Sequence, residues 1–462
     1  MLEVTNRARR APACAPGAAR GPQRRTPRAP RRPPDGTARW LAAIAALAVL
    51  AGCSASAGSS AATGRDERTA PSAAEPRASA APAPAPASRT PTAAPAPPPV
   101  PAAEPAPPGG PVNRVAEGPD GDVLSAEELP APAGVRAWRV RYRSRSLAGA
   151  PIGVSGLIVR PPGPAPEGGF PVITWGHGTT GASDACAPSR GDDLAVPELA
   201  ALLAAGYVVA ATDYEGLGTP GPHPYLVGES AGRSLLDAAR AAARLPGGDA
   251  GPRVLAFGSS QGGHAALFAG QIAARHAPEL ELLGVAAASP AADVATLIGT
   301  ASENALSFGY VLLTLATWTA VYPDVALTQV VTPAAAAETS ILDSQCLGGL
   351  LGAFAGRSIT DLLVADPRDV AGWADLLEEN SAGREPTDAA VLVVHGTADR
   401  VVPLALSEAL VEDLCAQGTP VALGRYAGAG HGDAVVTAAA DDVLAWFAQR
   451  LAGADPASDC PA

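Results

Sequence analysis

VLAFGSSQGGH, residues 254–264, passes from four apolar residues through G-x-S-x-G into a stretch of helical character that continues to His276. A serine at the centre of that pentapeptide, between a strand and a helix, occupies a very sharp turn. The positions two before and two after must be small, and here they are Gly258 and Gly262. The turn pushes the hydroxyl out of the fold, which makes Ser260 a candidate nucleophile.

The pentapeptide alone is a weak signal in a chain with 50 glycines, and Gly228-Glu229-Ser230-Ala231-Gly232 also matches it. Topology separates the two. The strand before Ser230 could only be Tyr225-Leu226-Val227, which follows the apolar stretch 207–213 after a short Gly/Pro-rich gap. Parallel neighbours need a crossover of about a dozen residues or more, usually a helix, and that gap is too short and too broken. Ser260 has the full unit: strand 207–213, helix 230–244, strand 253–257, turn, helix. Ser260 is therefore the expected elbow, and Ser230 an expected helix N-cap.

Outward from this unit, Trp138 to Tyr142 and Ile152 to Val159 read as an opening antiparallel pair. The strand 171–175 ends in Gly176-His177-Gly178-Thr179-Thr180-Gly181, and a helix is expected over 195–206. Strands 282–288 and 391–395, a helix at 404–417, strand 420–426 and helix 434–451 complete the pattern. Strands alternating with helices predict an α/β class, with a mainly parallel sheet flanked by helices on both faces. With the serine elbow, the pattern predicts the α/β-hydrolase fold. About 100 residues without clear strands separate 282–288 from 391–395, too long for a plain loop. They predict an inserted helical cap, 290–389, over a core of 113–289 and 390–455, with a C-terminal tail at 456–462.

A serine hydroxyl near neutral pH needs a base within hydrogen-bond reach and a carboxylate to orient that base. On this fold the chain order is Ser, then Asp or Glu, then His. The best acid is Asp399, in the loop after Val391-Leu392-Val393-Val394. Of the six histidines, only His431 follows it, in Gly428-Ala429-Gly430-His431-Gly432 after the last strand. His264 is expected to be buried on the helix after the elbow. His276 should end that helix, where a cation suits the dipole. His395 should shape the acid loop, and Asp433 should cap a helix. The expected oxyanion donors are the backbone N–H of Gln261, directly after the nucleophile, and that of Thr179, where Gly178 permits close approach.

The N-terminal quarter does not read as part of this fold. Residues 1–39 carry ten arginines, and Trp40 to Gly52 are thirteen uncharged residues followed by Cys53. A bilayer core takes about 20 apolar residues, so this run is too short to span and instead describes an export signal, 1–52. Leu50-Ala51-Gly52-Cys53 resembles the bacterial lipobox, which predicts a lipid anchor to a membrane at Cys53. Residues 54–111 hold fifteen prolines and one large aliphatic residue, Val100. Such a composition cannot bury enough apolar surface to fold, so 53–112 is expected to be a disordered Ala/Pro/Ser-rich tether. Beyond the signal, 23 arginines face 43 acidic residues, which argues against nucleic acid as a partner.

Cys186, Cys346, Cys415 and Cys460 remain, an even number in an exported chain, and three pairings are possible. Cys186–Cys346 would pin the insertion to a loop near the site, and Cys415–Cys460 would close the C-terminus. No C-x-x-C spacing exists, and no metal is expected.

HGTTG (177–181), TDYEGLG (212–218), GSSQGG (258–263), HGTADRVVP (395–403) and GAGHG (428–432) together resemble the secretory lipase family of α/β-hydrolases. The resemblance runs over nearly all of 113–452. It implies a capped hydrolase of fatty acyl esters, including triacylglycerols, with no cofactor, and supports Ser260, Asp399 and His431 as the triad. Asp213, Tyr214 and Glu215 fall in one of its motifs and are expected to form a structural loop beside the site. The reading is a carboxylic ester hydrolase on the outer face of the cell membrane or secreted, acting on a lipid or other acyl ester. A serine peptidase or acyltransferase would use the same machinery, and a non-catalytic envelope-binding lipoprotein would retain the fold.

Overall fold

The computed structural model describes residues 113–191, 194–300 and 307–461. The signal sequence 1–52, Cys53 and the tether 53–112 lie outside the described residues. Nine strands form one sheet: β1 (Val123–Leu129), β2 (Arg136–Arg145), β3 (Pro151–Arg160), β4 (Phe170–Gly176), β5 (Val208–Thr212), β6 (Ala250–Ser259), β7 (Glu281–Ala288), β8 (Ala390–Gly396) and β9 (Val421–Tyr426). Their order is β1-β2-β3-β5-β4-β6-β7-β8-β9. The first three strands and the β3–β5 pair are antiparallel, and every pair from β5 through β4 to β9 is parallel.

Strands β4 and β8, each with a neighbour on both sides, are buried along their whole length, as parallel strands covered on both faces must be. Alternate residues supply two cores. Ile173, Trp175, Leu255 and Phe257 pack on one face with Leu202, Val435, Trp446 and Phe447. These come from α1 (Leu199–Ala204), α11 (Asp433–Ala438) and α12 (Ala440–Leu451). The other face carries α2 (Gly228–Arg244), α3 (Gln261–His276) and α10 (Leu404–Ala416), which bury Leu235, Ile272 and Leu410.

Between β7 and β8 the chain forms α4 (Val294–Gly299), α5 (Ser307–Trp318), α6 (Pro333–Ala336), α7 (Leu347–Ala353), α8 (Ile359–Leu362) and α9 (Trp373–Glu379). They share a core of their own, with Trp318 and Trp373 stacked 6.4 Å apart. Tyr225, Leu226 and Val227, from the loop before α2, join that core, and Trp318 Nε1 donates to the Tyr225 carbonyl at 2.8 Å. Both expected disulfides are formed, Cys186–Cys346 and Cys415–Cys460. The C-terminal residues lie along the outer strand β9. Asp459 N–H donates to Val421 O, and Leu423 N–H to the Asp459 carboxylate, both at 2.8 Å. Two backbone groups at the start of that edge, Val421 O and Leu423 N–H, are thereby paired.

Several local expectations need correction. β1 was not anticipated. The expected helix 195–206 begins only at Leu199, because Pro197 and the left-handed Glu198 (φ 56°) hold the chain out of helical geometry. The single helix expected over 434–451 is two, divided at Ala439. Val435, Val436, Ala439, Val443, Trp446 and Phe447 continue one apolar stripe across that break, so periodicity could not reveal it. Ser230 is not an N-cap. It lies inside the first turn of α2, whose cap position is Val227, and its hydroxyl donates to Glu215 Oε2 at 2.5 Å. Asp433 is the first residue of α11, and Gly432 holds the cap position.

Candidate active site

The strand register brings the chemistry to one edge. Gly176 pairs with Gly258, Ser259 with Ala288 and Ala288 with Val394, so β4, β6, β7 and β8 end level at their carboxyl ends. That edge is where open α/β sheets place ligands. Ser260 stands there at φ 57° and ψ −114°, a conformation that side-chain-bearing residues rarely adopt. Its N–H donates to Ala288 O at 2.8 Å, which ties the turn to the neighbouring strand. The flanking glycines are required by close approach. A Cβ on Gly258 would lie 2.2 Å from Gly262 O, and one on Gly262 would lie 1.8 Å from Gly176 O.

His431 Nε2 is 2.9 Å from Ser260 Oγ, and its Nδ1 is 2.7 Å from Asp399 Oδ2. A carboxylate only accepts, so Nδ1 carries the proton and Nε2 is free to accept from the serine. The other oxygen of Asp399 accepts from the N–H groups of Val401 and Val402 at 2.8 and 2.9 Å. Burial alone would raise this carboxyl, but hydrogen bonds from His395 and His431, the His431 charge and the Val401 amide hold it well below the usual carboxylate range. His395 is fully buried, with Nδ1 on Ser407 Oγ and Nε2 on Val402 O, and it shapes the acid loop. His264 is buried against Asn380 O. His276 ends α3, and its ring faces the buried Asp237 at 3.1 Å.

Gln261 is the first residue of α3, where a helix leaves its amide N–H without an intrahelical acceptor. Gly178 lies alongside: a Cβ there would be 3.9 Å from Ser260 Cβ. The Thr179 hydroxyl pairs with the Tyr225 hydroxyl at 2.8 Å. The Asp213-Tyr214-Glu215 turn lies behind them. Asp213 accepts from Ser155 Oγ and from the N–H of Ser189. Burial pushes the Glu215 carboxyl up to about 7, against the hydrogen bond from Ser230 and the charge of Arg233.

Two spaces meet at Ser260. One is an open cleft of about 950 Å³ bordered by Thr179, Arg190, Leu347 and His431. The other, of about 230 Å³, runs under the insertion against Leu226, Val294, Ile298, Val311 and Val402. Tyr310 lines both. Sequence reasoning missed Tyr225 and Tyr310, which reach the site only through the packing of a loop and of α5.

A family model described as secretory lipase matches residues 193–459. The chain belongs to the secretory lipase family. Lipase 6 of Candida albicans is 26% identical over 382 residues, covering 74% of this chain and 80% of that one. Lipase A of Arthroderma benhamiae is 26% identical over 276 residues, 57% of this chain and 56% of its own. The fold is shared with Candida antarctica lipase A in its closed state, at TM-score 0.63 and 20% identity over 74% of this chain and 84% of that one. It is shared too with the rice cell wall degrading esterase LipA of Xanthomonas oryzae, at TM-score 0.60 and 22% identity over 73% and 100%. This secretory lipase is a serine ester hydrolase, and its family and disulfides mark it as exported.

Proposed function

We propose that Ser260, His431 and Asp399 are the catalytic triad of this hydrolase, with the Gln261 and Thr179 amides as oxyanion donors. The observation that carries the reading is the continuous relay from Ser260 Oγ through His431 to Asp399, at 2.9 and 2.7 Å. As Ser260 Oγ bonds to the ester carbonyl carbon, His431 Nε2 takes its proton and the carbonyl electrons move onto oxygen. Asp399 stabilises the imidazolium, and the two amides hold the oxyanion. Collapse expels the alcohol, which takes the proton from His431. Water then attacks the acyl-enzyme, passing its proton through His431 to Ser260 as the acid leaves.

The apolar space under the insertion suits the acyl chain, and the open cleft suits the departing alcohol. The substrate is then a fatty acyl ester, with the insertion 290–389 acting as a cap. A fluorophosphonate probe should label the wild type and not Ser260→Ala, whose esterase activity should fall by at least about 10⁴-fold. Equal labelling of the two proteins would sink the assignment. Faster turnover of p-nitroanilides than of matched p-nitrophenyl esters would favour a peptidase instead. The lipobox-like run further supports a signal at 1–52, a diacylglyceryl group on Cys53 and a tether over 53–112 that holds the enzyme to the outer face of a membrane. Mass spectrometry of the mature N-terminus tests this: a free amino terminus downstream of Cys53 with no acyl mass would reject it.

A further inference from the structure

The Asp213-Tyr214-Glu215 turn has no part in the triad, yet hydrogen bonds run from it toward both amides assigned to the oxyanion. We propose that Tyr214, with His177 and His223, is the positioning brace that fixes the direction of those two donors. The proposal rests on the oxyanion assignment above.

Tyr214 is left-handed at φ 70°, which is uncommon for a bulky residue, and its N–H is held by Thr212 Oγ1 at 2.9 Å. This conformation carries the phenol under the end of β4, where its hydroxyl donates to His177 O at 2.9 Å. Gly176 leaves room for it, since a Cβ there would lie 2.7 Å from the Tyr214 hydroxyl. The His177 ring lies 4.7 Å from the Tyr214 ring, and its Nδ1 is 2.6 Å from Gly178 O. A carbonyl only accepts, so Nδ1 carries the proton of that contact. Two successive carbonyls of the oxyanion loop are therefore held. In a planar trans peptide the N–H points opposite to the C=O, so fixing Gly178 O also fixes the Thr179 N–H.

The other arm begins one residue on. Glu215 O accepts from His223 Nδ1 at 2.8 Å, which leaves His223 Nε2 free to accept from the Gln261 side-chain amide at 3.1 Å. Gln261 is thereby anchored from its side chain while its backbone N–H stays available. The three side chains of the brace and that of Gln261 are all buried.

The test uses the purified enzyme, p-nitrophenyl butyrate and an alkyl trifluoromethyl ketone, which adds to the serine as a charged tetrahedral mimic. Losing a donor outright lowers the rate about 10²–10³-fold, so loosening one should lower kcat about tenfold in Tyr214→Phe with KM within about twofold. The ketone should lose about tenfold in affinity by the same argument. His177→Ala should behave alike, and His177→Asn, which keeps an N–H donor near the Nδ1 position, should recover most of the rate. Tyr322→Phe, which removes a phenol that accepts from Asn380 in the insertion, should leave kcat unchanged. Identical losses in Tyr214→Phe and Tyr322→Phe, or a rise in KM at constant kcat, would overturn the brace. Should Tyr214→Phe fail to fold, equal activity of His177→Ala and His177→Asn overturns it. If the ketone does not inhibit the wild type through Ser260, the oxyanion assignment falls and the brace with it. Tight inhibition untouched by Tyr214→Phe or His177→Ala overturns the brace alone.

Discussion

Asp399, the acid of the proposed triad, shows how neighbours set the charge of a single side chain. Its carboxylate is fully buried, yet two backbone amides and two histidines surround it, so the charge is retained where desolvation alone would remove it. Asp399→Asn would present an amide donor to the Nδ1 proton of His431 and favour the wrong tautomer. The expected result is a fall in kcat of about 10⁴-fold with little change in fluorescence-detected melting. Glu215 has the opposite electrostatics. Its folded pKa is raised to about 7 from an ordinary 4.5, so between those values the native state binds more protons than the unfolded one. Stability should be full below pH 4.5, decline as pH rises to 7 and then level off, by an amount on the order of 3 kcal/mol. Thermal melts of wild type and Glu215→Gln at pH 5 and pH 8 check this: the wild type should lose more between the two. Tyr310 lines both spaces at Ser260, so Tyr310→Ala should widen their junction. The preferred p-nitrophenyl ester should then shift to a longer chain, and an unchanged profile would deny Tyr310 that role. That Ser260, Asp399 and His431 could meet was legible, because fold order and local glycines leave few choices. The contacts of Tyr214, Tyr225 and Tyr310 were not, because no spacing rule links a phenol to a distant backbone carbonyl or cavity wall.

Strands and helices follow their apolar patterns closely, and the misreadings fall at their ends. A one-residue break at Ala439 leaves the apolar stripe of α11 and α12 in phase, so pattern alone joins them. Ser230 looked like a cap because serine favours that place, but a buried carboxyl, Glu215, gave its hydroxyl a partner one turn further in. The disulfides act at this scale. Cys186–Cys346 spans 160 residues and Cys415–Cys460 spans 45. Beside the first, Leu347 N–H donates to Thr180 O at 2.7 Å, which stitches α7 to the loop after β4. Chain-entropy estimates give about 5 and about 4 kcal/mol for loops of these lengths, as upper values. Calorimetry should show a larger fall in Tm for the Cys186→Ser, Cys346→Ser pair than for Cys415→Ser, Cys460→Ser. The first pair should also raise KM, because Cys186 and Leu347 border the cleft.

At the scale of the molecule, the chain alone determined which residues could make a hydrolase: one admissible elbow, one acid after it, one histidine after that, and an even set of cysteines. It did so because these depend on local sterics and on chain order, which a sequence states directly. It also marked the stretch between β7 and β8 as one without strands, which is where α4 to α9 lie. Tertiary structure decided what shares the site. The level strand ends bring residues 178, 260, 399 and 431 together from four separate loops, and the insertion's core draws in Tyr225, Leu226 and Val227. The same packing places Tyr310 along both spaces and sends the Tyr214 hydroxyl beneath the loop after β4. These relations join residues far apart in the chain through side-chain direction and close packing, which depend on every neighbour at once.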